Sequence, residues 1–146
     1  MPEGINEESV VPWMKERVPA LDGKVIFSLI AGGHSNLTFK CEDESGCSYV
    51  LRRPPLGHVL ESAHDMGREH KIIYALRDSE VPVPVTYGLC QDNEINGADF
   101  YIMDYVEGLV LNDSVSGARV PESNRRTLGL HVTDILCFEK SLKAIL

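Results

Sequence analysis

The sequence predicts an α+β domain: a five-stranded antiparallel sheet with one inserted helix and further helices at the N- and C-terminal ends. Three strand-like runs follow one another through connectors that are rich in turn residues and too short for a helix, which favours an antiparallel meander. Two more runs follow a segment with helical periodicity. The 146 residues are 43% apolar and 25% charged, which is typical of one globular domain.

The elements follow in order along the chain. A helix is predicted over residues 6–18, with Asn6 at the N-cap position and one apolar side formed by Val10, Trp13, Met14 and Val18. A second helix is predicted over residues 65–78, after the capping-box spacing Ser62-x-x-Asp65. Pro121 begins the last helix. The strands are predicted at residues 25–30, 37–41, 48–52, 85–90 and 100–106, with a polar turn at 92–94 between the last two.

Composition excludes several classes of function. A formal net charge of −8 argues against nucleic acid as a partner, and any anion site must be built locally. No run of about 18 apolar residues occurs, and the acidic N-terminus does not resemble a signal peptide, so we expect a cytoplasmic protein with no membrane partner. Four cysteines without metal-site spacing are expected as free thiols, although Cys41 and Cys47 could face each other across a hairpin.

Gly32 and Gly33 lie between the first two predicted strands. Adjacent glycines allow backbone N–H groups to approach a ligand closely, but taken alone the pair favours an ordinary hairpin turn. A dinucleotide-binding fold is excluded because its glycine fingerprint must begin a helix.

Glu69 is the residue with the clearest chemical indication. It falls within the apolar stripe of the second helix, among Met66, Ile73 and Leu76, where a carboxylate needs a cation or hydrogen-bond donors unless it reaches water. Alternation along the third strand places Arg52 on the face opposite Leu51, so that Arg52 could supply the cation. The sequence therefore predicts an Arg52–Glu69 pair.

Other charged residues carry weaker indications. Arg53 and Arg68 are predicted to be solvated. His58, His64 and His70 do not form a metal-binding spacing, so a metal site is not favoured.

Taken in order, these segments resemble the N-terminal lobe of the aminoglycoside phosphotransferase and choline kinase-like family. The branch that they resemble most occurs alone in bacteria or joined to acyl-CoA dehydrogenase domains in eukaryotes. The similarity covers roughly residues 25–110. The segments that carry it are Ala31–Phe39, Tyr49–Pro55, Ala63–Glu69, Val81–Pro84 and Phe100–Gly108.

The resemblance implies an ATP site with Mg²⁺ as the accompanying ion. It implies that Arg52 contacts the α- and β-phosphates and that Glu69 is its helix partner. Val50 and Ile30 would contact the base, and Met103 would close the back of the adenine pocket. The Asp104 carbonyl and the Val106 N–H would bond the adenine edge. The turn that covers the phosphates would comprise Gly32, Gly33, His34, Ser35 and Asn36.

The same resemblance implies a kinase that transfers the γ-phosphoryl group to a hydroxyl of a small molecule. Its H-G-D-x-x-x-x-N catalytic motif does not occur in this sequence, so we expect a fragment that is inactive alone and binds ATP no more tightly than millimolar. The predicted organisation is an N-terminal helical extension (1–23), a nucleotide-binding lobe (24–108), and a linker with the start of a truncated catalytic lobe (109–146). The alternative is a non-catalytic binding or regulatory module that acts through protein contacts. Its C-terminal helix would meet a second lobe or another copy.

Overall fold

The computed structural model describes residues 2–31, 36–57, 64–111 and 113–142, with side chains described as far as residue 135. Contacts divide the chain into two compact units, Met1–Val106 and Glu107–Leu146. The first unit contains the sheet, and the second is helical.

Five antiparallel strands form one sheet in the order β1-β2-β3-β5-β4, which confirms the predicted fold class. The first three strands are the predicted meander, and β5 lies between β3 and β4 because it pairs with both. The strands are β1 (Val25–Ala31), β2 (Leu37–Asp43), β3 (Ser48–Arg53), β4 (Thr86–Cys90) and β5 (Phe100–Asp104).

The helices of the first unit are α1 (Glu7–Lys15), α2 (Met66–Leu76) and α3 (Asn93–Asn96). Asp65 caps α2 by accepting a hydrogen bond from the Arg68 N–H, whereas Ser62 of the predicted capping box lies outside the described residues. The predicted polar turn between β4 and β5 was wrong, because it is the one-turn helix α3. The Asp92 side chain caps this helix, and Gly97 ends it with a φ of 70°.

The hydrophobic core lies between α1 and one face of the sheet. All four apolar residues predicted on one side of the first helix are buried there, and the Trp13 ring meets the Phe100 ring edge-on at 4.9 Å. The sheet contributes Phe27, Phe39, Leu51, Phe100 and Ile102. Helix α1 therefore supplies part of the same core as the sheet and closes one of its two faces.

The prediction that Arg53 is solvated was wrong: this residue is only 6% exposed. Its guanidinium donates hydrogen bonds to the backbone carbonyls of Gly4, Pro54 and Asn96. Backbone carbonyls satisfy a buried guanidinium without an acidic partner, and burial lowers the pKa of Arg53. Arg53 thereby joins the segment before α1 to the end of α3. Arg68 is exposed, as predicted.

The second unit contains α4 (Ser114–Gly117) and α5 (Glu122–Leu142). Asp113 caps α4 in a capping box with Ser116, and Pro121 directly precedes α5, as predicted. Several apolar side chains of this unit are exposed, among them Val110, Val115, Leu130 and Val132. Among the described helices, none combines the length and apolar character that crossing a membrane requires.

Candidate functional site

The sheet face opposite α1 carries the candidate site. Successive side chains of a strand point to opposite faces, so burying Tyr49 and Leu51 in the core leaves Val50 and Arg52 on the other face. The strand register extends this face into two rows of side chains. One row is Thr38, Arg52 and Tyr101, and the next is Lys40, Val50 and Met103.

Arg52 and Glu69 form the predicted ion pair. Arg52 Nε donates to Glu69 Oε2 at 2.8 Å, and both side chains are 31% exposed. Arg52 Nη1 also donates to the hydroxyl of Thr38 at 3.0 Å. Helix α2 is thus linked to strands β2 and β3 through a guanidinium that still reaches solvent.

Glu69 accepts further hydrogen bonds from two other segments. The Tyr101 hydroxyl on β5 donates to Oε2 at 3.1 Å, and Asn36 Nδ2 donates to Oε1 at 2.7 Å. Burial, followed by the nearby Glu69 charge, raises the pKa of Tyr101, so this phenol remains a proton donor. Both carboxylate oxygens are therefore bonded, which explains why a carboxylate is tolerated within the apolar stripe of α2.

Asn36 connects Glu69 to His64. Asn36 Oδ1 lies 2.6 Å from His64 Nδ1, and the Asn36 residue is 6% exposed. The connection joins residue 64, two positions before α2, to residue 36, the position before β2. Of the segment that the resemblance places over the phosphates, Asn36 is the described member; Gly32, Gly33, His34 and Ser35 lie outside the described residues.

The residues predicted to contact adenine lie on or beside this same face. Val50 is buried, Met103 beside it is half-buried, and Ile30 on the edge strand β1 is 50% exposed. Asp104 accepts a hydrogen bond from the Tyr87 hydroxyl at 2.6 Å, and its N–H donates to the Val85 carbonyl. The Val106 side chain is 68% exposed. Their roles toward adenine stay predictions.

Four residues of the site were missed by sequence reasoning: Thr38, Lys40, His64 and Tyr101. The period-2 alternation could have placed Thr38 and Lys40 on the Arg52 face, because they lie on the neighbouring strand in register with it. Lys40 pairs with Glu42 and lies over the Tyr105 ring, 5.3 Å from its centroid. His64 carries no such signal, since its partner is 28 residues away.

The histidines and cysteines do not form a metal centre in the described part of the chain, where no group of three potential ligands comes together. His70 instead lies between the rings of Tyr74 and Tyr101, and burial lowers its pKa. Cys41 and Cys90 are buried free thiols, and Cys47 is an exposed one. The hairpin alternative of a Cys41–Cys47 disulfide is therefore not formed.

A cavity of about 590 Å³ is lined by neither member of the Arg52–Glu69 pair. Residues of the β3 end, the α2 start and the α3–β5 connection line it, among them Arg53, His64, Asp65 and Asp99, but not Arg52, Val50 or Met103. We therefore place the candidate site on the sheet face and not in this cavity.

Comparison with known proteins identifies the family. A model of the phosphotransferase enzyme family matches residues 26–137. The chain belongs to this family. The crystal structure of a Ralstonia eutropha JMP134 protein assigned as an aminoglycoside phosphotransferase is similar to the chain, with a TM-score of 0.61 and 34% identity over 74% of this chain. The fold is therefore the kinase-like N-terminal lobe of that family, as the resemblance implied.

Similar sequences also occur within much longer proteins. "Probable acyl-CoA dehydrogenase IBR3" of Arabidopsis thaliana is 45% identical over 85 residues, 56% of this chain. "Acyl-CoA dehydrogenase family member 11" of Mus musculus is 31% identical over 139 residues, 92% of this chain. The chain spans 10% and 18% of these two relatives and 30% of the solved structure.

Proposed function

We propose that residues 24–108 form the ATP-binding lobe of a small-molecule phosphotransferase, and that the exposed part of the Arg52 face is where ATP binds. The observation that carries this proposal is the Arg52–Glu69 pair on the sheet face that α1 leaves open. A guanidinium suits phosphate oxygens because its N–H groups form a planar fork. In the neighbouring row, the half-buried Met103, which lies beside the buried Val50, offers an apolar surface for adenine.

The described residues include a guanidinium for the triphosphate and an apolar side chain for adenine, but no group of side chains that would hold magnesium. ATP would supply the γ-phosphoryl group, and Arg52 would hold its α- and β-phosphates. No group of three potential metal ligands occurs among the described residues, and the sequence lacks the H-G-D-x-x-x-x-N motif. We therefore propose that the catalytic general base and the Mg²⁺ ligands belong to a catalytic lobe that this chain does not contain.

The acceptor proposed for the complete enzyme is a hydroxyl group of a small molecule. The Ralstonia eutropha structure makes an aminoglycoside one candidate. The acyl-CoA dehydrogenase relatives make a hydroxyacyl chain on coenzyme A another. Acceptor choice would rest with the catalytic lobe, so this chain alone does not favour either.

The test is a nucleotide titration of the 146-residue chain, with NMR signals recorded at each nucleotide concentration. We expect ATP with Mg²⁺, at millimolar concentration, to shift the signals of Val50, Met103 and the Arg52 side chain. Arg52→Ala should abolish these shifts, whereas Arg77→Ala, which removes an exposed cation next to α2, should leave them unchanged. Shifts that are absent, or that survive Arg52→Ala, would refute the proposal.

A second candidate function is a non-catalytic module that acts through protein contacts. It is favoured by the exposed apolar side chains of the second unit, where Val110 and Val115 are 77% and 75% exposed. Light scattering distinguishes the two candidates. Association that grows with concentration and is lost on Leu130→Glu would support a module that contacts another copy, and a monomer at every concentration would refute that form of the second candidate.

A further inference from the structure

Asn36 directs its polar atoms at helix α2 and the residues just before it. Asn36 directly precedes β2. Its Nδ2 donates to Glu69 at 2.7 Å, and its Oδ1 lies 2.6 Å from His64 Nδ1. Only 6% of the residue is exposed, so both polar atoms of the carboxamide contact protein groups and not solvent.

The chemistry of the three groups fixes where the protons are. A carboxylate only accepts hydrogen bonds, so the Asn36 amino group must face Glu69 and the carbonyl oxygen must face His64. A carbonyl oxygen also only accepts, so His64 Nδ1 must carry a proton. In the neutral ring, the unprotonated nitrogen is then Nε2.

We propose that Asn36 is a positioning residue of the ATP site. Two hydrogen bonds hold its side chain, one to Glu69 and one from His64, whose ring is the Nδ1–H tautomer. Donation runs from His64 to Asn36 and from Asn36 to Glu69, whose other oxygen accepts from Arg52 and Tyr101. One chain of bonds therefore links Asn36, the residue before β2, to the helix residue that orients Arg52. The assignment of the bonds and of the tautomer stands on geometry, while the positioning of a nucleotide rests on the proposed function.

The order of donors and acceptors makes a charge-conserving swap possible. In the unaltered chain, the amide of Asn36 donates to the Glu69 carboxylate. In Asn36→Asp, a second carboxylate takes the place of this amide and repels Glu69. In the double variant Asn36→Asp/Glu69→Gln, the new amide at position 69 can donate to the new carboxylate at position 36, and its carbonyl oxygen can accept from Arg52 and Tyr101. That carboxylate can still accept from His64, and the net charge of the protein is unchanged. The swap should therefore restore what the single variant loses.

The tautomer is measured on the nucleotide-free chain by long-range ¹H–¹⁵N NMR at roughly pH 8.5, where imidazoles are neutral. We expect His64 to be the Nδ1–H form in the unaltered chain, a tautomer mixture in Asn36→Ala, and the Nδ1–H form again in the swap. His131, which is exposed on α5, is the internal control and should show a mixture throughout. An Nε2–H form in the unaltered chain would overturn the assignment, even if every variant failed to fold.

The nucleotide arm separates this inference from the proposed function. At one ATP concentration below saturation, the shift of the Arg52 Nε–H signal should fall about tenfold in Asn36→Asp and recover in the swap. A swap that recovers no better than Asn36→Asp would overturn the positioning role. If the unaltered chain shows no ATP-dependent shift, the proposed function and the positioning role both fail, while the tautomer result still decides the bond assignment.

Discussion

The energetic coupling of Arg52 and Glu69 can be predicted from their distance and exposure. The atoms are 2.8 Å apart, and both side chains are 31% exposed. Exposed pairs couple by about 0.2–1 kcal/mol, whereas breaking a fully buried pair costs about 3–5 kcal/mol. An intermediate burial therefore predicts a coupling free energy of about 1–2 kcal/mol between Arg52→Ala and Glu69→Ala.

Glu69→Ala alone should be more damaging than this coupling. It removes the acceptor of three donors, on Arg52, Tyr101 and Asn36. At about 1 kcal/mol for each hydrogen bond, the free energy of unfolding should fall by about 2–4 kcal/mol. Thr38 still accepts from Arg52, which keeps the expected loss within this range.

The assay is urea denaturation of the two single variants and the double variant. Trp13 is the only tryptophan and is buried in the core of the first unit, so its fluorescence follows the unfolding of that unit. The control is the same cycle on Arg77 and Asp78, which are 3.2 Å apart but 46% and 81% exposed. A coupling for Arg52 and Glu69 no larger than that of the control would show that partial burial does not strengthen this pair.

Three further predictions concern the core and the thiols. Trp13→Ala should lower the free energy of unfolding by about 3–5 kcal/mol, measured by circular dichroism in urea; an unchanged midpoint would show that α1 is dispensable. Arg53→Ala should lower it by about 2–3 kcal/mol in the same measurement, since backbone carbonyls lose their charged donor, and a neutral effect would contradict that. Burial raises the pKa of Cys41 from 9.0 to about 12. The unfolded chain therefore releases this proton first, and the free energy of unfolding should fall as pH rises through that range, less so in Cys41→Ala. In native protein, a thiol reagent should modify Cys47 before Cys41.

The elements that periodicity determines were predictable from the sequence. The apolar stripe of α1 and the meander of β1–β3 follow from local patterns whose period matches the structure that forms. The Arg52–Glu69 pair was predictable as well, because a carboxylate within an apolar stripe needs a partner and the strand alternation supplies one.

The features that could not be predicted depend on contacts that no sequence pattern marks. The burial of Arg53 depends on backbone carbonyls as far away as residues 4 and 96, and any residue type provides a carbonyl. The helix α3 was missed because Asp92 and Gly97 suit a turn as well as a one-turn helix. His64 was considered only as a metal ligand, since its contact with Asn36 forms only when α2 meets the sheet.

The contacts of Arg52 explain why an arginine suits this position better than a lysine. Among the described residues, two of its five N–H donors are bonded: Nε to Glu69 and one on Nη1 to Thr38. A lysine carries its three donors on a single nitrogen, so holding the same two acceptors would leave one N–H for a ligand, compared with three for arginine. Since the side chain is 31% exposed, the proposed phosphate contact needs no break in the pair that orients it. The ion pair and the ATP site are then compatible, because different N–H groups of one guanidinium serve each.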